Sequence, residues 1–124
     1  MKNLLYIASF LAFAIGVAHS LLGERYILTR LFRRTDLPKL FGSQDFTVRT
    51  LRLAWHLTTV AWWGFACILA MMASPPLNQQ AVGLVIGLTF LVHSLVALVG
   101  SRGKHLSWPV FLAISLIAIY VTRV

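Results

Sequence analysis

Carboxylates are nearly missing from this chain: Glu24, Asp36 and Asp45 are the only acids in 124 residues. A carboxylate-bridged di-iron bundle needs several Glu side chains with Glu-x-x-His spacing, and a glycosidase needs two carboxyls at one bond. Neither pattern is present. Cysteine is as scarce, since Cys67 stands alone inside an apolar run. That excludes an intrachain disulfide framework and a Cys-x-x-Cys redox pair. No phosphate loop, nucleotide motif or Ser-His-Asp order occurs, so hydrolase and kinase readings have no support.

Charge of either sign is missing from four long stretches, 4–22, 53–73, 77–101 and 106–122. Each approaches the roughly 20 residues that an α-helix needs to cross about 30 Å of hydrocarbon. The chain is 59% apolar with a mean hydropathy of +0.82, too apolar to cover a water-soluble globule. The runs are apolar on every side rather than alternating, which argues for helices and against a β-barrel. The expected fold is an all-α membrane protein: one domain, 1–124, as a four-transmembrane-helix bundle. The charged start and apolar middle of 1–20 resemble a signal peptide, but the apolar run is too long, so an uncleaved first span is expected.

Basic residues are plentiful and unevenly placed. Arg25, Arg30, Arg33, Arg34, Lys39, Arg49, Arg52, Arg102 and Lys104 fall in or beside the first and third connections, against Lys2 and Arg123 on the other side. This bias places both connections in the cytoplasm and both termini outside, as in a bacterial inner-membrane protein. The net charge of +8 is accounted for by topology and by a bilayer with anionic headgroups, so no nucleic-acid partner is expected. Within the basic loop 23–52, Ile27, Leu28, Leu31 and Phe32 share one helical side. Arg30, Arg33 and Arg34 lie on another, which predicts an interfacial helix with these arginines at lipid headgroups. Asp36, Leu37 and Pro38 should interrupt it, and Gly42–Ser43 should begin the next helix.

His19-Ser20-Leu21 recurs as His93-Ser94-Leu95, and Leu53-Ala54-Trp55 has a counterpart in Leu106-Ser107-Trp108. Two parallel helical-hairpin repeats and chance recurrence both remain open. Ala8, Ala12 and Gly16, and Gly83 and Gly87, form small faces for helix contact, either within one chain or in a homo-oligomer or larger membrane complex.

All four histidines fall at the basic ends of the helices, with His19, His56 and His93 at comparable depth and His105 at the boundary. Ionisable groups in lipid are costly and usually face one another or a cavity. Imidazole suits Zn, Cu and Fe, including haem iron, so His19, His56 and His93 are candidate metal ligands, with Glu24, Arg52 and His105 in support. A His56–His93 pair clamping haem is a variant of this. The competing reading is a non-enzymatic complex subunit or small transporter. There, His19, Ser20, His56, Thr59, Thr89, His93 and Ser94 bond across helices or gate a path, and Glu24 pairs with Arg52 or Arg49. Trp55 and Trp108 fit interfacial belts, whereas Trp62 and Trp63 lie deeper.

The topology has a direct check. A periplasmic reporter fused after Arg123 should be active and one fused at Lys39 silent; activity at Lys39 reverses the orientation.

Overall fold

The computed structural model describes residues 1–123, and these are all-helical, with 79% helix and no strand. Helix α1, Lys2–Leu22, runs without interruption into a π-helical turn, Gly23–Leu28, and a last α turn, α2, Thr29–Leu31. After the loop come α3 (Asp45–Met72), α4 (Gln79–Gly100) and α5 (Ser107–Arg123). Lys2–Leu31, Asp45–Met72 and Gln79–Gly100 are long and apolar enough to cross a membrane, and α5 is a shorter apolar helix.

Local chemistry explains the boundaries. Asn78 caps α4, its side-chain oxygen accepting from the backbone N–H of Gln80 at 2.8 Å and Ala81 at 3.3 Å. Arg102 at φ 54° and Gly103 at φ 74° take the left-handed conformation where α4 turns into α5. The expected start near Ser43 is close to the observed start at Asp45, where the Ser43 hydroxyl accepts from the Asp45 N–H at 3.3 Å. The amphipathic segment after Gly23 is helical as anticipated and buries Leu28. It is the continuous end of the first helix, and Phe32 to Arg34 lie beyond its last helical residue.

Large side chains lie outside and small or polar ones inside. Phe10, Leu11, Phe65, Leu88, Val99, Leu116 and Ile117 are among many exposed apolar residues, whereas the buried set includes Thr59, His93, Ser94, Ser101, Ser115, Ala66 and Ala97. This inverts the arrangement of a soluble protein and matches helices whose outer solvent is apolar, where small residues allow close backbone approach.

The four long helices form an open row. Helix α1 packs on α3, α3 on α4 and α4 on α5, while no Cα pair within 8 Å joins α1 to α4 or α5, or α3 to α5. Cα atoms sit about 2.3 Å from a helix axis, and packed axes lie about 8–10 Å apart, so packed helices would show such pairs. The helix count expected for a bundle holds, and its closure does not.

Glycines set the spacing within the row. A Cβ on Gly23 would fall inside the Trp55 indole, and one on Gly16 would lie 2.7 Å from Trp63 Nε1. Gly83 and Gly87 receive Thr122 and Ile119 in the same way, so these small faces are used within one chain. Gly23→Leu should therefore lower the thermal midpoint of the detergent-solubilised protein, with an overpacking cost of about 1–3 kcal/mol. Gly100→Ala, where a Cβ meets nothing within 4 Å, should leave it within experimental error. Equal midpoints for both variants would mean that the α1–α3 approach is not close.

Candidate functional site

The α1–α3 seam is built from side chains on α3 at four-residue spacing. Trp55 Nε1 donates to the His19 carbonyl at 3.0 Å, Thr59 Oγ1 to the Gly16 carbonyl at 3.3 Å and Trp63 Nε1 to the Phe13 carbonyl at 3.2 Å. Ser9 returns the pattern by donating to the Ala66 carbonyl at 2.7 Å. Such bonds between membrane helices contribute about 0.6 kcal/mol each, and together they fix one register.

At its basic end the seam becomes a continuous polar chain. The Ser20 hydroxyl lies 3.1 Å from Thr59 Oγ1 and 2.7 Å from His56 Nδ1. On the far side of the ring, Nε2 lies 3.2 Å from Glu24 Oε2, and Glu24 Oε1 takes Arg52 at 2.9 Å. The Arg52 guanidinium in turn sits 5.0 Å over the Phe32 ring. Spacing explains this convergence. Ser20 and Glu24 stand four apart on the first helix, and Arg52, His56 and Thr59 follow at four and three along α3, so two helical faces meet. The π turn starts at Gly23, where the missing side chain lets Trp55 close against the backbone beside Glu24.

The other histidines have separate surroundings. His19 stacks on Trp55 with centroids 4.4 Å apart and an interplanar angle of 3°, and Trp62 lies against it at 4.9 Å. Its Nε2 is buried without a hydrogen-bond partner. His93 donates from Nδ1 to the Thr89 carbonyl of its own helix at 2.7 Å and packs on Phe90 and Phe111. His105 Nδ1 meets Ser107 Oγ at 2.7 Å at the start of α5.

Among the described residues no three His, Cys, Asp or Glu side chains are grouped to hold a metal ion. His19, His56 and His93 are not grouped among the described residues, and α1, which carries His19, makes no contact with α4, which carries His93. A His56–His93 haem clamp meets a second obstacle, since both ring nitrogens of His56 already face partners. The expected Glu24–Arg52 pair does form, and of the anticipated cross-helix bonds Ser94 makes one, to the Trp108 carbonyl at 2.8 Å. Thr89 bonds within its own helix instead.

Of the three arginines assigned to headgroups, all exposed, Arg34 is held by Asp36 through Nε–Oδ1 at 2.8 Å and Nη2–Oδ2 at 2.5 Å. The hydrogen bond from Arg34 holds the Asp36 carboxyl below its usual range. Arg30 and Arg33 have no acid partner among the described residues.

Two grooves flank the polar chain. One, of about 370 Å³, is apolar and lined by His19, Tyr26, Trp55 and Trp62. The other, of about 430 Å³, lies between α3 and α4 and is lined by Asp45, Val48, Arg49, Arg52, Leu53, His56, Val96 and Gly100. Ser20 lines neither. Its hydroxyl has the base-adjacent position of a nucleophile, yet it is turned into the seam and already shared with Thr59. The Trp-to-carbonyl bonds were missed from sequence, although the Trp55, Thr59, Trp63 stripe was there to find.

Comparison of the chain with known family models, with characterised proteins and with solved structures finds no match.

Both members of the Glu24–Arg52 pair are more than a third exposed, at 35% and 46%, so solvent screens it. A double-mutant cycle of Glu24→Gln and Arg52→Gln should give a coupling of about 0.2–1 kcal/mol. Zero coupling would remove the pair from the description of the site.

Proposed function

We propose that this chain is a small non-enzymatic component of a bacterial-type inner membrane, with both termini outside. In this reading it works in a homo-oligomer or larger complex, and the His56 chain is a protonation-sensitive latch that gates the α1–α3 seam. The two hairpins, α1–α3 and α4–α5, are read as parallel repeats of which only the first carries the latch.

One observation carries the proposal, and it is a count of protons. Four contacts run in series: Glu24 to His56, His56 to Ser20, Ser20 to Thr59 and Thr59 to the Gly16 carbonyl. An imidazolium brings two N–H groups and the two hydroxyls bring one proton each, so four donors serve four contacts. Neutral imidazole brings one, which leaves three donors for the same four. The charged form completes the chain, and the neutral form leaves one oxygen pair or ring contact without a hydrogen.

The groups facing His56 are Glu24 and Ser20 from the first helix and Arg52 from its own helix. Arg49 and Asp45 share its groove, to which α4 contributes Val96 and Gly100 and no titratable side chain. The sign follows from the count: the doubly protonated ring adds a bond, so it holds the seam tighter than the neutral ring does.

Hydrogen exchange tests this. Amides of 16–23 should exchange more slowly in the protonated form, after correction for intrinsic rates, and His56→Gln should abolish that pH response. A response that survives in His56→Gln assigns it to another group and overturns the latch.

A further inference from the structure

The groove between α3 and α4 shares Arg52 and His56 with the seam, but the groups that select its occupant, Asp45 and Arg49, take no part in the latch. Asp45, Arg49, Arg52 and His56 repeat at four, three and four residues, so the N-terminal half of α3 presents one polar face toward Val96 and Gly100 of α4. The charges on this face are not equally satisfied. Arg52 is met by Glu24. Arg49 has no acid partner among the described residues and makes one long bond, Nη1 to the Gly100 carbonyl at 3.4 Å. Asp45 likewise has no cationic partner among the described residues, although Arg49 follows it by one turn.

A helix advances about 6 Å over four residues, so Asp45 and Arg49 leave α3 one turn apart, and the groove displays an anion and a cation that each lack an ionic partner among the described residues. Beyond them its walls turn apolar, with Val48, Leu53 and Val96. We infer that this groove holds the zwitterionic phosphoethanolamine headgroup of a membrane phospholipid. The phosphate lies at Arg49 beside Arg52, the ammonium donates hydrogen bonds to Asp45, and the upper acyl chain follows the apolar walls.

Three alternatives fit less well. A purely anionic headgroup would leave Asp45 opposing it. A choline headgroup carries charge but no N–H donor for the carboxylate. Free phosphate would make no use of the apolar walls. The ordinary local role of each residue does not conflict with the site: Asp45 favours the N-terminus of α3 and Arg49 the C-terminal carbonyls of α4, and both keep unused polar atoms.

Native mass spectrometry of the detergent-purified full chain tests the inference, using phosphatidylethanolamine, phosphatidylcholine, phosphatidylglycerol or inorganic phosphate as the probe. The ethanolamine lipid should bind most tightly. Arg49→Gln should weaken it about fivefold, as expected for one interfacial charge. Asp45→Asn should bring ethanolamine and choline lipids to equal affinity. Lys2→Gln, exposed at the far end of α1, removes the same charge away from the groove and should change nothing. Val96→Phe fills the groove while keeping every charge, and should displace the lipid without lowering the thermal midpoint. Tighter binding of the glycerol lipid, equal binding of the choline lipid in the unmodified protein, or full competition by inorganic phosphate would each overturn the assignment. So would a loss in Lys2→Gln equal to that in Arg49→Gln, or retention of lipid by Val96→Phe.

Discussion

A polar side chain packed between apolar helices must find an acceptor within the protein, and helix carbonyls offer one through their second lone pair. The rest of the structure depends on how α3 meets that constraint. Its Trp55, Thr59 and Trp63 reach three carbonyls of α1 in succession, and a slip of one residue would misalign all three. The indoles fit because Gly16 and Gly23 vacate the volume opposite them. Register, in turn, brings Ser20 and Glu24 to the two sides of His56. Hydrogen bonding thus positions the first helix, close packing at glycine permits it, and the polar chain follows from both.

The seam also explains why the histidines separate. A closed bundle would turn four helix faces toward a common axis, where groups at similar depth converge. In a row, each inner helix divides its faces between two neighbours. Helix α3 gives Trp55, Thr59 and Trp63 to α1 and turns Asp45 and Arg49 to the α4 side, while Arg52 and His56 border both. His19 and His93 therefore sit on seams that share no interior, one stacked on indole and the other bonded to its own helix.

Helix positions were legible in the sequence because length and apolarity act locally: the charge-free runs coincide with the four long helices to within a few residues, save where α3 begins early at Asp45. The Glu24–Arg52 pair was legible for a related reason, as so few acids leave little choice of partner. The lateral order of the helices was not, because every helix is apolar all round and its outward faces carry no pattern to say which is covered. The grouping of His19, His56 and His93 was misjudged on that step. Depth along the membrane normal can be read from sequence spacing, whereas the angle around each helix requires a partner. The π turn at Gly23–Leu28 left no compositional trace either, since it reflects the close approach of Trp55.

The row has a consequence for how the chain is made. Each seam joins long helices that follow one another in the sequence, so none must wait for a distant partner to be synthesised. Contacts of this kind keep loop closures short and allow assembly to proceed in step with translation. The first helix meets its one neighbour as soon as α3 emerges, and each later helix docks on an edge that already exists. Growth by edge addition leaves two edges at every stage, and the row of described helices has them at α1 and at α5.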